Sequence, residues 1–302
     1  MKNFDFVGRR MIFFAISIVV ILAGVVSFFV RGFNLGRDFT GGTQMSFVLR
    51  EKNDGDKTVA VNDSVLSDIK AIYTAEGIND ADVVKNSEDG SVTVNNGTVL
   101  TAEQQDKIKK AVAEKYTIND DECEYSSTSG SVSRDLKDKA VKGILIAVAL
   151  MLLYIMFRFN WRSGIAAVIC LIHDVLIMLS AYTMLGIPMD SNMIAAVLTI
   201  VGYSINATII IFDRVRENVK GNKKMSFAES ANLAVNQTVT RSINTTLTTL
   251  FTIGLICLLG PTSIKQFSLP IIVGVIAGLY SSVFLSTNIW IMLKGKKAFE
   301  TK

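Results

Sequence analysis

Six stretches of this sequence are long and apolar enough to cross a bilayer, and that fact removes most of the folds open to a chain of 302 residues. A spanning helix needs roughly 20 predominantly apolar residues, and inside hydrocarbon only helices and closed barrels satisfy every backbone polar group. The stretches are Met11 to Val30, about Lys139 to Phe159, Ser163 to Ile187, Ser191 to Phe212, Ser242 to Ile264, and Phe267 to Leu293. The second is the weakest. Its uncharged core runs only from Gly143 to Phe157, with Lys142 and Arg158 placed to snorkel from its ends. Half of all residues are apolar and three are proline, which is outside the usual range for a soluble domain. The expectation is a polytopic α-helical membrane protein with six transmembrane helices.

The first stretch follows Lys2, Arg9 and Arg10, so it competes with a cleavable secretory signal. It is longer than the usual signal core, and Phe28-Phe29-Val30-Arg31 lacks the small residues of a cleavage site, so it reads as a retained anchor. Positive charge sets the orientation. With a cytoplasmic N-terminus, the inner side receives Lys2, Arg9, Arg10, Arg158, Arg162, Arg214, Arg216, Lys220, Lys223, Lys224, Arg241, Lys294, Lys296, Lys297 and Lys302. The outer ends and short outer loops receive only Lys142 and Lys265, so both termini are expected inside.

One large polar insert remains, from about Arg31 to Asp138, holding 20 of the 27 acidic residues. An acidic outside and a basic inside argue against nucleic acid and for anionic lipid headgroups at the basic face. Thr43 to Arg50 alternates like a strand, and Asp63 can cap a helix whose Val65, Ile69, Ile72 and Tyr73 share a face. Two strand-like runs follow, Asp82 to Lys85 and Ser91 to Asn95, separated by a turn at 86–90. Thr101 with Gln104 opens a second helix through Lys115, with Ile108, Val112 and Tyr116 inward, and Glu122 to Ser127 closes as a strand. The order is that of an extracytoplasmic α+β domain of split βαβ type. The organisation expected is therefore 1–30 for the N-terminus and first span, 31–138 for the exported domain, 139–293 for a five-helix bundle, and 294–302 for a basic tail. Between spans four and five, a cytoplasmic amphipathic loop at 213–241 is expected, in which Phe227, Ala231, Leu233, Ala234 and Val235 fit an amphipathic helix lying either on the membrane surface or against the translocon.

Three cysteines, one histidine and no phosphate-cradling glycine loop point to no metal, no cofactor and no bound nucleotide, so another energy source has to be considered. Ionisable groups inside spans are the next clue, because they are costly in hydrocarbon and face a bundle interior or a wet path. His173 and Asp174 lie about 15 Å deep in the third span. Desolvation disfavours a charged carboxylate, so one reading is a proton-responsive pair and the other a hydrogen-bonded structural cluster. Thr199, Tyr203 and Asn206 share a face of the fourth span; Asn244, Thr248 and Thr252 share one on the fifth, with Arg241 at its inner end. Three neighbouring polar stripes predict one shared polar interior. Gly274 and Gly278 in the sixth span read as a close-packing pair. Asp213, Arg214, Arg216 and Glu217 form an inner-mouth charge cluster, either a gate or docking point or a solvated helix end.

These residues carry a resemblance that spans nearly the whole chain. The landmarks are Phe39-Thr40-Gly41-Gly42-Thr43, Ser129-Gly-Ser-Val-Ser133, Phe157-Arg-Phe159, Trp161-Arg162, His173-Asp174, the run GYSINATIIIFDRVREN at 202–218, Thr240-Arg-Ser-Ile-Asn244, Gly260-Pro261 and Phe267-Ser-Leu269. In this order they resemble the SecD/SecF family of bacterial protein-export subunits, on its SecF side. The resemblance implies an RND-like half that pairs with SecD. It also implies work beside the SecYEG translocon, using the proton motive force to complete preprotein translocation and release without covalent catalysis. It further implies a bacterial plasma membrane location. Family members commonly read Gly-Tyr-Ser-x-Asn-Asp-Thr, whose Asp is a candidate proton carrier near the arginine matching Arg241. This chain has Ala207 there, and a methyl group binds no proton. The carboxylate then comes from SecD, or Asp174 takes more of the task, or part of the relay is lost. The proton path or polar interior is accordingly assigned to His173, Asp174, Asn206, Arg241 and Asn244. The glycine-rich Phe39 to Thr43 motif is assigned to the junction between span and domain.

Two other classes compete. An RND-type small-molecule or lipid exporter shares the span pattern but usually carries two large exported domains and both halves in one chain. An intramembrane protease needs paired aspartates, and only Asp174 is deep, since Asp190 follows Pro188 in an outer turn.

Overall fold

The computed structural model describes residues 4–52, 54–85, 91–119, 121, 123–158, 160–222 and 224–300. The turn expected at 86–90 lies outside them. In chain order the elements are α1 (Arg10–Arg31), α2 (Arg37–Thr40), β1 (Gly42–Val48), β2 (Arg50–Glu51), β3 (Asp54–Thr58), α3 (Asp63–Ala75), β4 (Asp82–Lys85), β5 (Ser91–Asn96), α4 (Ala102–Lys115) and β6 (Glu124–Thr128). Then follow α5 (Gly130–Arg158), α6 (Trp161–Leu185), α7 (Asn192–Gly221), α8 (Phe227–Leu259), α9 (Thr262–Tyr280), a π-helical segment Ser281–Ser286, and α10 (Thr287–Lys294). The chain divides into two compact units, 1–34 with 140–302, and 35–139.

The smaller unit is a four-stranded antiparallel sheet in the order β4-β5-β1-β6, with α3 and α4 supplying the helices. Alternation in β1 sends Met45 and Phe47 into a core shared with Ile69, Tyr73, Val92, Val94, Ile108 and Val112. Asn62 rather than Asp63 caps α3, accepting from the Val65 amide at 3.1 Å, because helical geometry begins at Asp63 itself. Thr101 and Gln104 form the reciprocal capping box of α4. A β2–β3 hairpin follows β1 and was not expected from the sequence.

One part-buried network in this unit links its stability to pH. Lys115 Nζ lies 2.7 Å from Asp68, and Tyr116 donates to the same carboxylate at 3.1 Å. The Lys115 contact holds the Asp68 carboxyl below its usual 3.8, whereas burial and the neighbouring carboxylate push Tyr116 up to about 12. A lowered carboxyl contributes stability that is present above pH 3.8 and lost as pH falls below it; a raised phenol contributes stability that is present below pH 10 and lost towards pH 12. Hydrogen exchange in the 61–75 peptide, corrected for intrinsic rate, is expected to speed up modestly below pH 4 in the native chain. Asp68→Asn should flatten that acid response.

The larger unit contains, among the described residues, six helices of spanning length and apolarity. Burial within it is uneven. α6, α7 and the last span pack closely together, whereas α5 and the C-terminal half of α8 leave most side chains exposed. Helix fills most of 213–241: α7 continues to Gly221 and α8 begins at Phe227, capped by a Ser226–Glu229 box, so the expected amphipathic helix is the first part of a longer one. The apolar residues expected on a membrane surface are turned into the protein: Phe227, Ala231, Ala234 and Val235 are buried, with Phe227 edge-on to Trp290 at 4.9 Å. Burying that stripe against protein removes the face that would have held the segment on lipid.

Candidate functional site

At the centre of the larger unit, four segments converge on one carboxylate. Asp174 on α6 is fully buried, and among the described residues no other Asp or Glu is buried. Its Oδ1 meets His173 Nδ1 at 2.8 Å, while Oδ2 accepts from Ser204 Oγ on α7 and from Ser281 Oγ at 2.7 Å, where the π-helix begins. His173 Nε2 lies 3.1 Å from Ser17 Oγ on α1, and the His173 ring stacks beside Tyr280. Tyr280 in turn donates to the Phe13 carbonyl at 2.7 Å. The carboxylate therefore has three polar contacts in a dry setting, which makes its retention there affordable despite the cost of burying charge.

The backbone is arranged to allow this meeting. A Cβ on Gly278 would lie 3.2 Å from Ser204 Cβ, and one on Gly274 would lie 2.0 Å from Ile200 Cδ1, so these two glycines bring α9 against α7. The π turn at Ser281–Ser286 then re-aims the serine face of the last span, in the manner of π-bulges at functional sites. Ser17, Ser204, Ser281 and Tyr280 were missed from the sequence. Serine in a helix so commonly bonds its own backbone that its presence alone is no signal.

The expected shared interior is split. Asn206, Arg241 and Asn244 are exposed and lie away from the Asp174 node. The reason is helical geometry: Ser204 and Asn206 are two residues apart, about 200° around α7, so they face opposite ways. Asn206 and Thr199 share an exposed face with Asn244, Thr245, Thr248 and Thr252 of α8, where Tyr203 joins the helices by donating to Thr246 Oγ1 at 3.0 Å. Thr199, Thr245, Thr248, Thr249 and Thr252 all donate to their own helix and are neutral towards lipid. The two asparagines differ. Among the described residues neither Asn206 nor Asn244 has a side-chain partner, and an unbonded amide in hydrocarbon costs roughly 2–7 kcal/mol.

At the other end of this face, Asp213, Arg214 and Glu217 line a cavity of about 470 Å³ together with Gln237, Thr238 and Arg241. Arg214 bridges Glu217 at 2.7 Å and Gln237 at 2.6 Å. Arg216 points elsewhere, donating to the Arg158 carbonyl at 3.3 Å. Arg241 thus belongs spatially to the charge cluster and not to the Asp174 node.

The glycine motif lies in the smaller unit. Phe39 and Thr43 are buried, and Thr40 Oγ1 donates to the Gly36 carbonyl at 3.3 Å. Gly41 and Gly42 have φ of +77° and +102°, and a Cβ on Gly42 would fall 2.1 Å from the Asn96 carbonyl oxygen. Thr43 Oγ1 accepts from Leu100 N at 2.8 Å and donates to the Thr98 carbonyl at 3.1 Å. The motif clasps β1 to the chain after β5.

Two family models match this chain. Residues 107–296 match the protein export membrane protein SecD/SecF C-terminal family, and residues 26–47 match the SecD/SecF GG motif. The chain belongs to the SecD/SecF family. Among its relatives, the protein translocase subunit SecF of Petrotoga mobilis is 35% identical, with 98% of each chain covered. That of Acidaminococcus fermentans is 37% identical, over 98% of this chain and 99% of the relative. The protein translocase subunit SecDF of Bacillus subtilis is 32% identical over 98% of this chain, which spans only 39% of that longer protein. The crystal structure of SecDF from Thermus thermophilus, described as a translocon-associated membrane protein, matches with a TM-score of 0.84 at 29% identity, again over 98% of this chain and 39% of the other. SecD/SecF proteins thus include longer chains in which a region like this one is a minority of the length.

Proposed function

We propose that this chain is the SecF-type half of a SecD–SecF unit that assists the SecYEG translocon, drawing on the proton motive force to complete the movement and release of preprotein. The observation that supports proton coupling best is Asp174, a buried carboxylate at mid-span whose contacts come from α7, the last span and, through His173, α1. A single proton gained or lost there alters bonds to all of them, so charge change is tied to helix packing. With Ala207 at the family's usual Asp position, Asp174 is the carboxylate this half contributes. No covalent chemistry is part of this reading.

SecD is the partner we assign to the exposed α7/α8 face. Lipid would leave Asn206 and Asn244 unbonded at a cost of several kcal/mol, whereas a polar partner half satisfies them. The fused SecDF relatives support the same pairing. In this reading Arg241 and Asn206 lie beside a titrating group supplied by SecD, and the Asp213, Arg214 and Glu217 cavity is the inner mouth. In this reading both termini and that mouth lie on the cytoplasmic side of a bacterial plasma membrane, near anionic lipid, which the positive charge around 158–162, 214–224 and 294–302 supports. The α+β unit is then extracytoplasmic, where it meets emerging polypeptide.

A photo-crosslinking residue at Asn244 is expected to capture SecD in native membranes, and one at Leu150 on the exposed face of α5 is not. Equal capture at both positions would remove the assignment of this face. Proton coupling is tested separately, in vesicles holding this chain with SecD, by whether release of exported polypeptide depends on the gradient.

A further inference from the structure

Two residues of α1 are buried, Ser17 and Gly24, seven apart and both against α6. A Cβ on Gly24 would lie 1.8 Å from Ser180 Oγ, and Thr183 Oγ1 donates to the Gly24 carbonyl at 3.5 Å. Further along, Arg31 Nη1 donates to the Met184 carbonyl at 3.1 Å, Asn34 Nδ2 to the Gly186 carbonyl at 3.1 Å, and Met189 N to the Asn34 carbonyl at 2.7 Å. α1 is therefore fastened to α6 and the turn after it at intervals along its length. Of these fastenings, the one between Ser17 and His173 contains an imidazole, whose two nitrogens can each donate or accept.

A hydroxyl both donates and accepts, and imidazole changes role with charge. When neutral His173 gives its Nδ1–H to Asp174, Nε2 carries a lone pair and Ser17 O–H donates to it. When His173 is protonated, Nε2–H donates instead and the Ser17 proton must turn away. The carbonyl one turn back on α1 is Phe13 O, which already accepts from Tyr280 at 2.7 Å. The His173 ring meets Asp174 on α6, Tyr280 on the last span and uncharged Ser17 on α1, while Cys170 of α6 and Ser204 of α7 bond the Ser281 carbonyl and the Asp174 carboxyl beside it.

We propose that Ser17 is the positioning residue that passes the protonation of His173 to the first span. Reversal of its bond draws the hydroxyl onto Phe13 O, sets it against Tyr280, and shifts α1 relative to both α6 and the last span. The shift runs along a helix whose outer end leads in sequence into the 35–139 unit. This rests on the reading of the Asp174 node as proton-exchanging.

His173 is the single histidine of the chain, so imidazole-labelled protein reports on it alone. The full chain with SecD in lipid nanodiscs, carrying ¹⁵N-histidine and nitroxide side chains at the exposed outer positions Val30 and Leu185, gives charge and helix separation together. Between about pH 5 and 9 the native chain is expected to titrate at His173 and change the Val30–Leu185 distance over the same range. In Ser17→Ala, His173 still titrates but the distance response falls at least threefold; Ser17→Thr, which keeps the hydroxyl, retains it. A full distance response in Ser17→Ala overturns the role of Ser17 and leaves the proton reading standing. An imidazole that never changes charge in the native chain overturns this proposal while leaving proton exchange at the Asp174 carboxyl to its own test.

Discussion

Asp174→Asn is expected to reduce gradient-dependent release of exported polypeptide at least tenfold while leaving the chain folded and bound to SecD. The amide keeps an oxygen to accept from Ser204 or Ser281, and its nitrogen has the His173 ring to bond, so packing survives the change. What disappears is the group that takes up a proton in the proposed function. Asp174→Leu serves as the contrast. It leaves Ser204 and the His173 Nδ1 without their partner, at about 1–3 kcal/mol for each stranded group, while Ser281 keeps its bond to the Gly278 carbonyl, so it should lower thermal stability as well as release. Release that is unchanged in Asp174→Asn would make the node a structural cluster.

Gly42→Val is expected to unfold or markedly loosen the 35–139 unit. At φ +102° a β-branched residue is strained by about 1–3 kcal/mol, and the overlap of its Cβ with the Asn96 carbonyl forces β1 and β5 apart at a similar cost. The sum, roughly 2–6 kcal/mol, is a large part of the 5–15 kcal/mol that holds a typical domain. Limited proteolysis in vesicles reads this directly: rapid cleavage between residues 35 and 139 in Gly42→Val, with the spans intact. Thr43→Val should have a smaller effect of the same kind, because it removes the hydroxyl linking Leu100 N to the Thr98 carbonyl. Native resistance in Gly42→Val would mean that the clasp is not needed for the sheet.

The spans were legible because length and apolarity are the physical requirement for crossing a bilayer. Their ends were not. α5 begins at Gly130, nine residues before the apolar signal, because its first turns include Arg134, Asp135, Lys137 and Asp138, which suit a helix without suiting lipid. α7 and α8 outrun their apolar segments in the same way, so the amphipathic helix expected between these spans is continuous with the fifth span. The β2–β3 hairpin was hidden because its strands are short and charged, without the alternation that marks a half-buried strand.

In the candidate site, an ionisable pair in an apolar run could be read directly from residues 173 and 174. Its partners could not. They are serines, and which serine turns to a neighbour instead of its own helix is decided by packing at Gly278 and by the π turn at Ser281. The motif GYSINAT misled in an instructive way. Ser204 and Asn206 stand two residues apart on one helix, so a single conspicuous stretch supplies the buried node with one residue and the exposed α7/α8 face with the other.

The central claim is that the Asp174 carboxyl gains and loses a proton as the gradient changes. Infrared difference spectroscopy on oriented vesicles holding this chain with SecD, recorded as the gradient is imposed and reversed, observes carboxyl protonation itself. The account predicts a protonated-carboxyl band that appears and vanishes with the gradient in the native chain and is missing in Asp174→Asn. The same band in both proteins would assign the titrating group elsewhere and contradict it.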